Sequence, residues 1–121
     1  MSPVEITVDN FVQTIEQPGI VVIDWWASWC GPCRAFAPIF EAAAKKHADV
    51  VFGKVSTESE PELASSLHIR SIPTVMAFRD GILVFSQPGM LPANVLEDLI
   101  TKLRALDMDE IRRKLAERKS A

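Results

Sequence analysis

The sequence predicts an α/β fold in which a central mixed β-sheet of about five strands is flanked by helices. From the N-terminus to about residue 68, apolar runs typical of strands alternate with helical patterns in the order β-α-β-α-β-α. An Asp-Gly pair at 80–81 then joins two further strand-like segments. A strand-helix-strand unit implies parallel pairing, whereas a two-residue turn implies an antiparallel hairpin, so the sheet must be mixed.

The first two predicted strands differ in their pattern. Residues 4–8 (VEITV) alternate apolar and polar side chains, which predicts a strand with one buried face. Asp9 is expected to cap a short helix that ends at Pro18-Gly19. Residues 20–27 (IVVIDWWA) are almost continuously apolar and rich in β-branched residues. We therefore predict a central strand there, buried on both faces.

The middle of the chain continues the alternation. A helix is expected over about residues 31–47, where apolar residues recur at helical spacing. Residues 50–56 (VVFGKVS) predict a second buried strand. The helix after this strand has Pro61 in its first turn, where the missing N–H does no harm. The connection between the two buried strands should be a right-handed crossover.

A hairpin and an amphipathic helix follow. Residues 74–79 (TVMAFR) and 82–87 (ILVFSQ) flank Asp80-Gly81, which predicts two antiparallel strands joined by a type I′ turn. Pro92 then marks a helix start. The helix should lie on the sheet with an apolar face made of Val95, Leu96, Leu99, Ile100 and Leu103.

A last helical segment begins at Asp107. Asp107 and Glu110 form a pair like a capping box, and the apolar stripe of the segment is narrow. The members of that stripe are Met108, Ile111 and Leu115. We expect this segment either to be a surface helix that packs its stripe on the body or frays in solvent, or to contact a partner or a second copy.

Length and charge limit the classes of function. A chain of 121 residues should form a single main domain with a substantial core. The net charge of −3 argues against a nucleic-acid surface, which needs clustered Lys and Arg. The N-terminal residues show no export signal, and no apolar run is long enough to cross a bilayer. We expect a cytoplasmic protein with neither nucleic acid nor membrane as a partner.

Both cysteines of the chain lie in one Cys30-x-x-Cys33 motif. As a crosslink the motif would close so small a loop that it would stabilise the fold little. A structural zinc ion needs four ligands, and His47 and His68 lack metal-ligand spacing to this pair. No metal site is expected, and the two histidines are explained by their places near predicted helix C-termini.

A reactive pair accounts for the motif better. The turn between strand and helix places Cys30 at a helix N-terminus, where free N–H groups and the helix dipole stabilise a thiolate. Cys33 is nearly one helical turn further on, so it can resolve a mixed disulfide formed on Cys30. Trp29 offers an apolar surface for a peptide segment, although ordinary packing at a strand end also explains it.

The chain resembles the thioredoxin family in several separated landmarks that occur in order. They are VVIDWWASWCGPC, the Ala37-Pro38 pair in the following helix, GKV before Ser56, SIPT, Asp80-Gly81, and Gly89 before the last family helix. The similarity extends from residue 3 to about residue 105. It implies a thioredoxin fold for residues 1–106, with residues 107–121 as a C-terminal helical extension.

The resemblance implies a catalytic cycle. In similar proteins the residue matching Cys30 attacks a substrate disulfide, and the residue matching Cys33 releases the reduced product. No cofactor is bound, and an NADPH-dependent thioredoxin reductase, a flavoprotein, restores the dithiol. The expected partners are therefore this reductase and disulfide-containing client proteins, and the protein is expected to be a monomer.

Asp24 is a polar residue inside an apolar run, so its pKa should lie well above that of an ordinary aspartate. A hydrogen-bonded acid at a strand end would explain it without catalysis. The resemblance implies a proton acceptor for Cys33 acting through water, with Lys54 as the matching lysine.

The resemblance also implies a substrate groove around the cysteines. It implies a cis peptide bond before Pro73, with the backbone of Ile72 available to pair with an extended substrate strand. Gly31, Pro32 and Trp29 would line the groove beside the cysteines, and Gly89 would complete it, although a plain turn glycine is an alternative. The chain departs from the family pattern at Met90 and Ser71, where Ala and Gly are common, and at Ser56 and Glu58, where Asn and Asp are common. Bulk at Met90 and Ser71 should reshape the groove.

The predicted function is a thiol–disulfide oxidoreductase that reduces disulfides in other proteins. A non-catalytic interaction or holdase module using the same groove is the alternative from a different class. An oxidant or isomerase would use the same cysteines in the opposite direction, but Gly31-Pro32 between the cysteines resembles the reducing branch of the family.

Overall fold

The computed structural model describes residues 2–120, without the side chain of Ser120. The strands are β1 Val4–Glu5, β2 Ile20–Trp26, β3 Val51–Ser56, β4 Thr74–Arg79 and β5 Ile82–Pro88. The helices are α1 Phe11–Ile15, α2 Gly31–Lys46, α3 Pro61–Ser66, α4 Ala93–Arg104 and α5 Met108–Ser120. The strands form one sheet in the order β1-β3-β2-β4-β5. The prediction of a five-stranded mixed sheet flanked by helices is confirmed.

Strand β2 lies at the centre of the sheet and determines its mixed character. It pairs in parallel with β3, with Asp24 opposite Lys54, and antiparallel with β4. The β4–β5 hairpin turns at Asp80 and Gly81, whose φ angles are +52° and +82°. Two positive φ angles are the property of a type I′ turn, so the predicted turn is confirmed.

The two faces of the sheet bury separate clusters of apolar side chains. Alternating residues of β2 point to opposite faces, with Val22 in one cluster and Val21 and Ile23 in the other. The first cluster packs under α2 and α4, and the second under α1 and α3. The prediction that this strand is buried on both faces is confirmed, because its residues from Ile20 to Trp25 are all buried.

The prediction for residues 4–8 is wrong in its length and its buried face. Only Val4 and Glu5 belong to the strand, and Ile6 is the one side chain of the alternating set that is buried. Val4 and Val8 are 46% and 64% exposed. The chain leaves the sheet edge after Ile6, and the Val8 N–H donates to Glu60 Oε1 at 2.6 Å instead of to a strand.

The predicted cap of α1 is also wrong, because Asn10 and not Asp9 is the N-cap residue. The Asn10 side chain is used in the preceding turn, where its Oδ1 accepts the Thr7 N–H at 2.8 Å and its Nδ2 donates to Glu5 O at 3.1 Å. These bonds close the turn before the helix, so the helix begins one residue later than expected.

Helix α4 packs on the sheet as predicted, except at Val95. Leu96, Leu99, Ile100 and Leu103 are buried, whereas Val95 is 41% exposed. Val95 lies at the rim of a shallow groove between α4 and the edge strand β5, so the sheet does not cover it. Helix α4 is also bonded to the end of α2, where His47 Nε2 lies 2.8 Å from Glu97 Oε1.

Helix α5 begins with the predicted cap and docks at the hairpin. Asp107 Oδ1 accepts the Glu110 N–H at 3.1 Å. Met108 is 7% exposed, and Ile111 and Leu115 are half-buried. Arg112 Nη2 lies 3.1 Å from Asp80 Oδ2 in the β4–β5 turn. The helix therefore packs at the end of the sheet opposite to the one where β2 meets α2.

Candidate active site

The candidate site lies at the turn from β2 to α2. The Cys30 N–H donates to Ala27 O at 3.3 Å, which closes a turn whose central residues are Ser28 and Trp29. Cys30 has an extended backbone (φ −88°, ψ 113°) and is the N-cap residue of α2. The sequence pattern of a buried strand followed directly by a helix therefore delivers this cysteine to the helix N-terminus.

Cys30 and Cys33 form a disulfide, with their Cα atoms 5.2 Å apart. The Cys33 N–H donates to Cys30 Sγ at 3.2 Å. An N-cap side chain that accepts a first-turn N–H occupies the place where the helix favours negative charge. The same arrangement would stabilise a thiolate on Cys30 once the disulfide is reduced.

The two cysteines are largely covered, and the residues beside them are not. Cys30 and Cys33 are 4% and 3% exposed, and they form a small apolar cluster with Ala27. Trp26 and Ile72 pack against this cluster. Trp29 lies outside this cluster and is 69% exposed, and Gly31 and Pro32 are exposed as well. The sulfur atoms are therefore covered, whereas the residues next to each cysteine in the chain are open to solvent.

Asp24 and Lys54 form a second pair on adjacent strands. Asp24 is fully buried, and Lys54 Nζ lies 3.9 Å from its Oδ2. Neither carboxylate oxygen has a hydrogen-bond partner among residues 2–120. Burial raises the pKa of Asp24 from 3.8 to about 6, and the positive charge of Lys54 opposes that rise. The Lys54 ammonium also lies 5.0 Å above the Trp26 ring, so one lysine links the acid to the cysteine cluster.

The segment around Pro73 borders the cysteine cluster through Ile72, which packs against it. The Ile72–Pro73 peptide bond is cis. The Gly89 N–H donates to Pro73 O at 2.8 Å, and Gly89 has a φ of +95°, which favours glycine. Met90 follows and is 37% exposed, and Ser71 is exposed as well. Met90 and Ser71, the two departures from the family pattern that are expected to reshape the groove, are thus both at the surface of this segment.

Three residues that hold the β2–α2 turn were not predicted as site residues: Arg34, Thr57 and Glu58. The Ser28 N–H donates to Glu58 Oε1 at 2.6 Å, and Arg34 Nη1 donates to Ser28 O at 2.8 Å. The signal was available, because the ends of adjacent parallel strands meet at one edge of a sheet. The residues that follow β3 must therefore lie close to those that follow β2.

Within residues 2–120, no group of three or more His, Cys, Asp or Glu side chains is placed to hold a metal ion. Over the same residues, no helix is both long enough and apolar enough to span a bilayer.

Comparison with known proteins agrees with the geometry of the site. The family model described as thioredoxin matches residues 2–102. A protein named putative thioredoxin 2 from Streptomyces coelicolor is 51% identical over 119 residues, which cover 98% of this chain and 89% of the relative. Thioredoxin 1 from Synechococcus elongatus is 40% identical over 99 residues, or 80% of this chain and 92% of the relative.

Solved structures show the same fold. A mutant thioredoxin from Halobacterium salinarum superposes with a TM-score of 0.80 at 28% identity, covering 87% of this chain and 93% of the other. A thioredoxin from Plasmodium falciparum superposes with a TM-score of 0.75 at 32% identity, covering 82% of this chain and 97% of the other. The alignment with the Streptomyces relative includes most of α5, whereas the family model ends within α4.

Proposed function

This chain belongs to the thioredoxin family and is a thiol–disulfide oxidoreductase, and on that premise we propose how its residues reduce disulfides in other proteins. The observation that supports the proposal most directly is the Cys30–Cys33 disulfide at the N-terminus of α2, where the Cys33 N–H donates to Cys30 Sγ. The disulfide is the oxidised end of the cycle, and the dithiol is the form that acts on clients.

In the first step Cys30 is the nucleophile. Its thiolate attacks one sulfur of a client disulfide, forming a bond between Cys30 and the client. The other client sulfur leaves as a thiolate and takes up a proton. The helix N-terminus lowers the free energy of the Cys30 thiolate, which raises the fraction of protein ready to attack.

In the second step Cys33 resolves the mixed disulfide. Its thiol loses a proton to Asp24 through water, and its sulfur then attacks Cys30, so that the second client thiolate leaves. Two electrons have passed to the client, and the protein ends as the disulfide. A buried carboxylate with a pKa of about 6 is suited to accept a proton near neutral pH, and Lys54 at 3.9 Å stabilises its charged form.

Clients are bound in an extended conformation across the surface around the disulfide. The backbone of Ile72, presented by the cis bond to Pro73, pairs with the client chain. The exposed Trp29, Gly31 and Pro32 contact the client beside Cys30. Gly89 allows the client backbone to approach closely, and Met90 contacts its side chains.

The cycle is completed by a partner that supplies electrons. An NADPH-dependent thioredoxin reductase returns the Cys30–Cys33 disulfide to the dithiol, and the protein acts as a monomer in the cytoplasm. No cofactor is bound in this cycle, because the cysteine pair itself stores the two electrons.

The test is to trap the intermediate. Cys33→Ser leaves Cys30 able to attack but removes the resolving thiol, so clients should accumulate as mixed disulfides that dithiothreitol releases. Cys30→Ser is the matched control and should trap none. Recovery of no client from Cys33→Ser would reject the assignment. Binding or holdase activity that survives in Cys30→Ser, together with the absence of reductase activity in the wild type, would instead favour a non-catalytic module.

A further inference from the structure

The turn that carries the nucleophile is held by charged side chains that the proposed reaction does not use. Ser28 is its first central residue, and both backbone groups of Ser28 are bonded to side chains from other elements. The N–H donates to Glu58 Oε1 at 2.6 Å, and the carbonyl oxygen accepts from Arg34 Nη1 at 2.8 Å. Glu58 follows β3, and Arg34 lies in the first turn of α2. Ser28 is thus held from two directions.

The same elements hold the chain on either side of Ser28. The Thr57 N–H and Oγ1 both donate to Trp26 O, at 2.8 Å and 3.1 Å. The Arg34 N–H donates to Cys30 O at 3.2 Å. These bonds and the two at Ser28 connect the end of β2, the turn and the N-cap of α2. We call Arg34, Thr57 and Glu58 the turn brace.

The position of the turn brace makes it relevant to clients. Ser28 and Trp29 are both exposed, and exposed turns usually belong to the more mobile parts of a fold. Trp29 and Cys30 follow Ser28 directly, so any movement of Ser28 moves the exposed indole and the sulfur relative to a docked chain. Thiol–disulfide exchange requires the attacking sulfur and the client disulfide to be aligned, and small misplacements slow such reactions strongly.

We infer that Glu58 and Arg34 are positioning residues for the reduction of protein disulfides, which hold Ser28 so that Trp29 and Cys30 keep one arrangement toward a docked client. The inference rests on the proposed function. It assigns a role to Glu58, which stands where the family commonly has Asp. The Ser28 N–H also lowers the pKa of Glu58, so the carboxylate is the form that accepts this bond near neutral pH.

The decisive comparison is between Glu58→Ala and Glu58→Gln. Both variants lose the charge, but only Glu58→Ala loses the oxygen that accepts the Ser28 N–H. We expect Glu58→Ala to lower kcat/KM for reduction of insulin by about tenfold, with a change of less than about twofold for a small aryl disulfide, which does not dock across the turn. Glu58→Gln should stay near the wild type with both substrates. Hydrogen exchange of the Ser28 amide should be faster in Glu58→Ala alone.

Two further variants complete the experiment. Arg34→Met keeps the apolar stem but removes the donors to Ser28 O, and its loss with insulin should not add to that of Glu58→Ala in the double variant, because both act on one residue. Glu41→Ala changes an exposed carboxylate of α2 and should leave all the measured values unchanged.

Three results would overturn the inference: equal losses in Glu58→Ala and Glu58→Gln, equal losses with insulin and the small disulfide, or no loss in Glu58→Ala. The first would indicate an effect of charge, and the second a general loss of folded protein. Failure of the wild type to reduce insulin would instead reject the proposed function, so the two failures are distinguishable.

Discussion

At the scale of single residues, Asp24 is the clearest case in which the environment sets a chemical property. The side chain is fully buried at the centre of the sheet, and Lys54 Nζ lies 3.9 Å from its Oδ2. Burial disfavours the charged carboxylate more than one lysine at that distance favours it, so the pKa rises to about 6. The ionised form of Asp24 therefore destabilises the folded state relative to the unfolded chain, in which this carboxylate is hydrated.

The sign of this effect leads to a prediction for oxidised protein. Between about pH 4 and pH 6, the folded state keeps a proton on Asp24 that the unfolded chain loses, so this residue makes stability fall as pH rises. Above that window both states are ionised and the penalty is constant, at about 3 kcal/mol for a pKa raised from 3.8 to about 6. Asp24→Asn should therefore be more stable than the wild type by about that amount at pH 8.

Urea unfolding of both proteins at a series of pH values measures the difference. The difference should shrink toward pH 4, where Asp24 is protonated in folded and unfolded states alike. Carboxylates with lowered pKa values, such as Asp80, contribute equally to both proteins and cancel in the comparison. Stability curves that run parallel across the whole range would contradict the assigned pKa.

At the scale of secondary-structure elements, the packing of Ile6, directly after β1, on strand β3 depends on a glycine. Gly53 pairs with Val4 of β1 and with Ile23 of β2, and it is buried. A Cβ at Gly53 would overlap Ile6 Cδ1 and lie 2.9 Å from Ile6 Cγ1. Ile6 is 1% exposed, so its side chain has little room to move. The side chain of Ile6 thus fills the space that the missing side chain of Gly53 leaves.

Gly53→Ala should therefore destabilise the protein by about 1–3 kcal/mol, the usual effect of overpacking a core. Gly31→Ala is the control for stability, because a Cβ there meets no atom within 4 Å. Chemical denaturation of the two variants makes the comparison. If Gly53→Ala were as stable as Gly31→Ala, the packing of Ile6 against β3 would be looser than described.

Helix α5 is a second element whose role depends on particular contacts. Met108 is buried against the body, whereas Arg112 and Asp80 form a partly exposed ion pair. Apolar burial should outweigh the ion pair, because exposed pairs contribute little. These contacts of α5 lie at the hairpin end of the sheet, far from Cys30, so α5 should support stability and not turnover.

Met108→Ala should lower the free energy of unfolding by about 2 kcal/mol or more, and Arg112→Ala by about 1 kcal/mol or less. Both variants should reduce disulfides at the rate of the wild type. Thermal denaturation and a turnover assay test the two parts. Deletion of residues 107–121 should lower the molar mass in solution only by the mass of the deleted residues, and a change in oligomeric state or turnover would point to a partner or dimer contact instead.

At the scale of the whole molecule, the reduction potential of the Cys30–Cys33 pair sets the direction of electron flow. The protein carries a net charge of −3. Cys30 is the N-cap residue of α2, and the N-terminus of that helix stabilises the Cys30 thiolate. Gly31 and Pro32 stand between the cysteines, as in the reducing branch of the family. A reductant must have a more negative potential than the disulfides it reduces.

Equilibration in dithiothreitol redox buffers, followed by tryptophan fluorescence, measures this potential. We expect a value near that known for thioredoxin, about −270 mV. A value above about −200 mV would indicate an oxidant or isomerase and would reverse the proposed direction of catalysis. Cys33→Ser, which forms no internal disulfide, is the control for fluorescence changes unrelated to the pair.

The sequence by itself determined the order of the elements, the type I′ hairpin turn and the position of Cys30 at a helix N-terminus. These features follow from local patterns: apolar periodicity, the Asp80-Gly81 pair and a buried strand followed directly by a helix. The family resemblance added the cis bond before Pro73, which the structure contains.

Only the tertiary structure decided which residues of different elements meet. The register of β2 and β3 puts Lys54 beside Asp24, as the resemblance implied, and the loop after β3 puts Glu58 beside Ser28, which was not predicted from the sequence. Tertiary contacts also leave Val8 and Val95 exposed where their periodicity predicted burial. The physical reason is that periodicity records which side of an element is apolar, whereas strand register and the edges of the sheet determine which side chains are covered.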